Sequence, residues 1–397
     1  ALFYGGLVRK KNILSVLMQC AALIGLMSVV WVAWGYSLAF GGDVLGGLVG
    51  GTDHLFLRGV LPAWDGTAVV VPATGSLPTS VHMVFQMMFF IITPALICGA
   101  FAERMKFSSM CIFSVLWGTL VYCPLAHWIW SDTGWLSVFN QEAQFPLLDY
   151  AGGAVVHLSS GVSALVCCLW LGPRLGHGKE AMPPHNLTYT AIGAALLWVG
   201  WFGFNAGSAL AANGDAAMAL LVTHLSAATA TLTWMLIEWK ANGKPSVLGA
   251  ATGAIAGLAA VTPASGFIGP EGGLAIGFAS GALCYFASTA VKKRFAYDDS
   301  LDVVGVHGVG GFIGVIMVAF FASESLGGGG YGSGADAGMA GQLKAQLIGG
   351  GVTIVYTLVA SIAVFWVIDK LVGLRVSDED EEQGLDLAEH AETGYSL

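Results

Sequence analysis

The chain has 397 residues, of which 56% are hydrophobic and 10% charged, with 56 glycines and a net charge of −9. A soluble domain cannot hide that much apolar surface, and glycine in this excess is what close-packed membrane helices use to bring backbones together. The sparse, scattered basic residues argue against nucleic acid as a partner. Cys20, Cys98, Cys111, Cys123, Cys167, Cys168 and Cys284 lack the paired loop spacing of a disulfide framework or zinc cluster and read as small packing residues.

Apolar stretches of about 20 residues, the length a helix needs to cross a bilayer, recur along the chain. They predict an all-α polytopic membrane protein with ten spans, near 14–40, 80–101, 109–128, 151–171, 188–207, 215–238, 246–262, 271–291, 302–322 and 342–369. Before the first lies ALFYGGLVRKKN, whose short apolar start feeding a basic loop reads as the tail of an earlier span. Basic residues then alternate. Arg9, Lys10 and Lys11, Arg104 and Lys106, Arg174 and Lys179, Lys240 and Lys244, Lys292 to Arg294, and Lys370 and Arg375 fall on one side. That side holds 14 of the 16 Lys and Arg, leaving Arg58 and Lys344 opposite. By the positive-inside rule it is the cytoplasm. The opposite loops, 41–79, 129–148 and 323–341, are longer and rich in Gly, Pro and Trp. One membrane domain, residues 1–370, with a short acidic cytoplasmic tail, 371–397, is predicted.

Two histidines stand out inside apolar, glycine-rich spans: His157 in DYAGGAVVHLSSG and His307 in DVVGVHGVGG. Histidine is costly in hydrocarbon and titrates near neutrality, so a pair in separate spans suggests a polar path. Their spans are five apart and run in opposite directions. That offset is what an inverted-topology repeat requires, with a shared site near the midplane.

Other signals carry less. Gly249, Gly253 and Gly257, with Gly273, Gly277 and Gly281, form small-residue stripes that mark helix contacts. The run GGGGYGSG at 327–334 lacks a Walker lysine and is no phosphate cradle. Asn186-Leu187-Thr188 fits a glycosylation sequon but falls on the inner side. His224 reads as a packed or hydrogen-bonded core residue, and His82 and His127 as interfacial. A metal enzyme using His157 and His307 would need further ligands, and no HExxH motif or carboxylate cluster supplies them. No cofactor is expected.

The stretches ALFYGGLVRKKN, LICGAFAERMKFSS, PLAHWIW, LDYAGGAVVHLSSG, WVGWFGFNAGSALAAN, SVLGAATGAIAGLAAVTPASGFIGP, LDVVGVHGVGGFIG and GLRV with EEQGLDLAEHAETGY resemble, in order and over essentially the whole chain, the ammonium transporter (Amt) family of the Amt/Rh superfamily. The resemblance implies a prokaryotic-type transporter in the cell membrane, with inverted five-helix repeats. Family members have eleven helices, of which this stretch is expected to lack the first, and assemble as homotrimers with one pore per subunit.

Carried over residue by residue, it implies an outer recruitment site for ammonium, or methylammonium, from Trp130, Phe85 and Ser208, with Asp149 favouring cations near the mouth and holding local backbone. Phe89 and Phe204 match the paired phenylalanine gate, and Trp201 and Asn205 lie on the same motif. His157 and His307 match the twin histidines of the pore. Ammonium would lose its proton near the gate and pass as ammonia, with or without a separately relayed proton. A neutral molecule escapes most of the burial cost of a cation, and potassium, with no proton to give up, would be rejected.

Taken alone, Trp130 and Phe85 read as interfacial-belt aromatics, Ser208 as a packing hydroxyl and Asp149 as a helix cap. An ammonium sensor acting through a cytoplasmic partner stays open beside transport. So does an Rh-type ammonia/CO2 channel, although Trp130 and Ser208 match the Amt branch. The tail from Gly373 resembles the family's regulatory segment, which implies docking of a P-II-type signalling protein.

Overall fold

The computed structural model describes residues 1–323 and 338–395, so the glycine run at 327–334 lies outside the described residues. A short helix, α1 (Leu2–Leu7), precedes α2 (Lys10–Phe40), α3 (Thr79–Phe101), α4 (Phe107–Trp130), α5 (Gly153–Leu171), α6 (Leu187–Ala209) and α7 (Gly214–Asn242). Then come α8 (Val247–Val261), α9 (Pro270–Phe295), α10 (Val304–Phe321) and α11 (Met339–Leu371). All ten predicted spans are present among the described residues, although α8, with 15 residues, is too short to cross a bilayer alone. Its burial from Ala251 to Val261 explains how it is tolerated: protein, not lipid, surrounds it.

Capping chemistry sets where the helices begin and end. Asn186, Asn213 and Ser246 each accept a first-turn N–H with their side chains, at Tyr189, Ala216 and Gly249. Pro270 opens α9, and Gly243 closes α7 in the left-handed region at φ 77°. The loop between α2 and α3 adds three two-residue antiparallel hairpins, at 43–50, 63–70 and 73–78, which the all-helical expectation did not include.

Polar side chains tie the bundle where lipid offers no hydrophobic drive between helices. Trp117 Nε1 donates to Ser163 Oγ at 2.8 Å and Ser361 Oγ at 3.2 Å, joining α4, α5 and α11. Both α5 and α10 open with a π-helical turn, Gly153–Leu158 and Val304–Gly308, and each such turn contains one of the histidines. The two helices cross at glycines. A β-carbon on Gly311 would stand 2.8 Å from the Gly153 carbonyl oxygen and 2.9 Å from His157 Cβ.

The loops of the basic side converge, as the charge alternation predicts. Arg9 pairs with Glu103 at 2.7 Å, and Arg174 reaches Glu103 at 3.3 Å and Asp298 at 2.9 Å. Burial alone would raise Asp298, but the Arg174 fork and the nearby Arg104 overcome it and hold the carboxyl well below the usual range. The tail folds back onto this face as α12 (Asp378–Gln383) and α13 (Leu385–His390). Glu381 accepts from Leu175 N and Arg375, both at 2.7 Å, and Asp386 from Ser15 N at 2.8 Å.

Three histidines depart from expectation. His82 and His127 are buried rather than interfacial, the first 3.1 Å from the Tyr36 hydroxyl and the second 3.0 Å from the Ala39 carbonyl. Residues of α2 cover His82, and the loop after α2 packs on the end of α4, where Trp128 Nε1 donates to the Leu48 carbonyl at 2.6 Å. His224, expected in the core, lies exposed on α7 beside the rings of Trp198 and Phe202.

Candidate functional site

The aromatics singled out in the sequence come together at the ends of α3, α4 and α6 opposite the basic face. Phe85 and Phe89, one helical turn apart on α3, have ring centroids 4.9 Å apart, and Phe89 meets Trp130 edge-on at 5.7 Å. Trp130 Nε1 donates to the Asp149 carbonyl at 2.8 Å, which fixes the indole and leaves its face beside Phe89. Ser208 Oγ donates to the Phe204 carbonyl at 2.9 Å, so its oxygen keeps a lone pair for a further donor.

Beneath this group, Phe89 and Phe204 close on each other with centroids 4.3 Å apart. Phe204 is also 6.1 Å from the His157 ring and 5.4 Å from Trp201. Trp201 stacks on His157 at 5.3 Å and is held by a bond from Nε1 to Thr262 Oγ1 at 2.9 Å. Asn205 is buried and donates to Thr223 Oγ1 at 2.9 Å, pinning α6 to α7 behind the gate.

His157 Nδ1 and His307 Nδ1 lie 3.2 Å apart, with the ring planes inclined by 18°. Both side chains are almost wholly buried. One Nδ1 must donate and the other accept, so the neutral pair adopts opposite tautomers. One ring then offers an N–H from Nε2 and the other a lone pair. A proton passed along the pair exchanges these roles without moving either ring. A cavity of about 450 Å3 runs along the pair, lined by His157, His307, Trp201, Phe204, Ile255 and Tyr4. Its wall is otherwise mostly apolar, so a neutral ligand meets a smaller desolvation penalty there than a cation does.

Asp149 does not face this cavity. Its Oδ1 accepts from the N–H groups of Gly152 and Gly153, and its Oδ2 from those of Ala154 and Val155. Four otherwise orphaned donors at the start of α5 are thus satisfied by one carboxylate. Burial pushes that carboxyl above its ordinary value against the pull of these four bonds. Asp149 therefore sets where His157 sits, and its backbone carbonyl orients Trp130.

Sequence reasoning missed Asp299, Thr262 and Tyr4. The signal for Asp299 was present, because Asp149 precedes His157 by the same interval as Asp299 precedes His307. Asp299 Oδ2 accepts from Val304 N at 2.7 Å and so caps α10 as Asp149 caps α5.

Residues 1–395 match the family model described as Ammonium Transporter Family. The chain is 43% identical over 400 residues to an ammonium transporter of Bacillus subtilis, covering 100% of this chain and 93% of the relative. It is 42% identical over 395 residues to ammonium transporter Amt1 of Archaeoglobus fulgidus, covering 99% and 94%. Among solved structures, it superposes on Mep2 of Saccharomyces cerevisiae with a TM-score of 0.81 at 35% identity, covering 95% of this chain and 86% of that one. A structure titled Sensor Amt Protein gives a TM-score of 0.87 at 28% identity, covering 98% and 93%. This polytopic helical membrane protein belongs to the ammonium transporter family.

Proposed function

We propose that the chain moves ammonium nitrogen into the cytoplasm by separating each ammonium ion into ammonia and a proton. Ammonium is recruited against the faces of Trp130, Phe85 and Phe89, with Ser208 accepting one of its protons. A cation on such rings gains about 0.5–2 kcal/mol per contact. It loses its proton near the Phe89–Phe204 gate, and ammonia then passes the twin imidazoles. The observation that carries this reading is the His157–His307 contact at 3.2 Å, inside an apolar cavity directly below the paired phenylalanines.

The basic face is the cytoplasmic one, in keeping with the positive-inside rule, and residues 371–397 form a regulatory tail on it. Each subunit of a homotrimer carries its own pore, and the cytoplasmic face offers the docking surface for a P-II-type signalling protein. Uptake of radiolabelled methylammonium by a transporter-deficient cell tests the central reading. Saturable uptake abolished by joint His157→Ala and His307→Ala replacement supports it, and uptake that survives the double replacement refutes it.

A sensing role is the second reading, favoured by the likeness to the structure titled Sensor Amt Protein. Purified protein in liposomes that binds ammonium without flux would establish it in place of transport.

A further inference from the structure

The two helix-capping aspartates are equivalent in position and unequal in bonding. Asp149 spends both carboxylate oxygens on four backbone N–H groups. Asp299 spends one. Its Oδ2 accepts from Val304, while its Oδ1 is buried without a hydrogen-bond partner, in a residue only 1% exposed. An ionised oxygen so enclosed is expensive, and the expense disappears when that oxygen carries a proton.

Asp299 does not itself line the cavity, but it is near enough to Tyr4, which does, to act on it electrostatically. Leu301 N donates to the Gly99 carbonyl at 3.1 Å, and a β-carbon on Gly99 would stand 2.9 Å from the Tyr4 hydroxyl. Tyr4, whose hydroxyl donates to the Leu96 carbonyl at 3.1 Å, lines the cavity together with His307. The titratable groups facing Asp299 are Lys292 at the end of α9, Tyr297 and Asp302 on the connecting loop, Tyr4 from α1, and Cys167 and Cys168 from α5. Lys292 Nζ is itself bound to Asp302 at 2.8 Å, so it draws on Asp299 from a distance without satisfying Oδ1.

We infer that Asp299 is a proton-carrying residue at the end of the path remote from the phenylalanine gate, with Oδ1 the atom that takes the proton. The inference rests on the transport reading above. Ammonium gives up a proton near the Phe89–Phe204 gate and becomes ammonia. The proton, relayed along the imidazole pair, passes to water entering from the basic face, and that protonated water gives it up to form an O–H bond on Asp299. Ammonia arriving past His307, the stronger base, takes that proton on its lone pair and leaves as ammonium, returning Asp299 to carboxylate. One cation has then crossed and every proton is accounted for. Burial raises the Asp299 carboxyl to about 6 against the pull of Lys292, within reach of physiological pH.

The test is the transient current from purified protein in liposomes on a solid-supported membrane after an ammonium jump, from acidic to mildly alkaline pH. Asp299→Asn keeps an acceptor for Val304 N and cannot titrate. It is expected to lower the current about a hundredfold or more with the melting temperature nearly unchanged, whereas Asp299→Glu restores current. Lys292→Gln removes the cation that lowers the Asp299 carboxyl and is expected to move the pH inflection upward. A folded Asp299→Asn protein with wild-type current and pH profile reduces Asp299 to a cap and overturns the inference. Should that variant not fold, an unmoved inflection in Lys292→Gln overturns it equally. Wild-type uptake without current refutes the inference alone, while loss of both uptake and current in the wild type refutes the transport reading and this inference with it.

Discussion

Gly161 on α5 stands against Gly308 on α10 so closely that a β-carbon on Gly161 would fall on the Gly308 Cα. Gly311 presses in the same way on Gly153 and His157, and Gly161 and Gly311 each follow a histidine by one helical turn. This double contact lets two helices of opposite direction approach near enough for their imidazoles to share a hydrogen bond.

Gly161→Ala should therefore force the crossing apart. Overpacking of this kind costs about 1–3 kcal/mol, so the melting temperature in detergent should fall. Methylammonium uptake should fall further than stability alone explains, because the Nδ1–Nδ1 bond lengthens. Wild-type uptake in a Gly161→Ala protein would mean that the crossing does not govern the ring contact.

Asp149→Ala leaves four buried N–H groups at the start of α5 without their acceptor. Each unsatisfied group costs about 1–3 kcal/mol, and the variant should fail to yield folded protein. Asp149→Asn, which keeps an acceptor oxygen, should fold with reduced thermal stability. Size-exclusion chromatography and thermal melts compare the two, and equal stability would contradict the capping role.

Trp130→Leu removes one aromatic face from the recruitment group while keeping apolar bulk. A lost cation–π contact of about 0.5–2 kcal/mol should raise the half-saturation concentration for methylammonium about 2- to 30-fold. The maximal rate should change less. A change confined to the maximal rate would place Trp130 in the gate rather than in recruitment.

Arg174→Ala leaves Asp298 without its fork partner, whereas Glu103 keeps Arg9. Breaking such a buried pair costs about 3–5 kcal/mol near neutral pH. The sign with pH follows from the depressed Asp298 carboxyl. In the wild type its contribution is full above the unfolded value of about 4 and is lost as pH falls toward the lower folded value. The gap between wild type and Arg174→Ala should therefore narrow in acid, which melts across pH will measure.

Glu381→Ala removes the anchor that joins the tail to Leu175 and Arg375. Two charge-assisted bonds of about 1.5–3 kcal/mol each correspond to a tail detached about 10²- to 10⁴-fold more often. Limited proteolysis should release the segment after α11 correspondingly faster, with the membrane helices intact. Unchanged protection would show that the remaining contacts, such as Asp386 with Ser15, suffice.

Much of this was legible in the chain. The bilayer imposes a length on every crossing helix, so ten apolar stretches could be counted, and the basic residues identified which loops share a face. The repeated interval before His157 and His307 carried the inverted repeat more directly than the histidines did, and with it Asp299. His82, His127 and His224 were misread for a common reason. Hydropathy locates a residue along a span but is silent about which side of the helix it occupies and which loop covers the end.

Composition and periodicity thus determined the class, the spans and their alternation, because each depends on the exchange of residues between water and lipid, which acts locally along the chain. The tertiary structure alone decided that Asp149 faces backbone while Asp299 keeps a free oxygen. It alone brought His157 to His307 across 150 residues of chain. Those outcomes depend on how closely two glycine-bearing helices approach and how they rotate, and no single span encodes its partner's position.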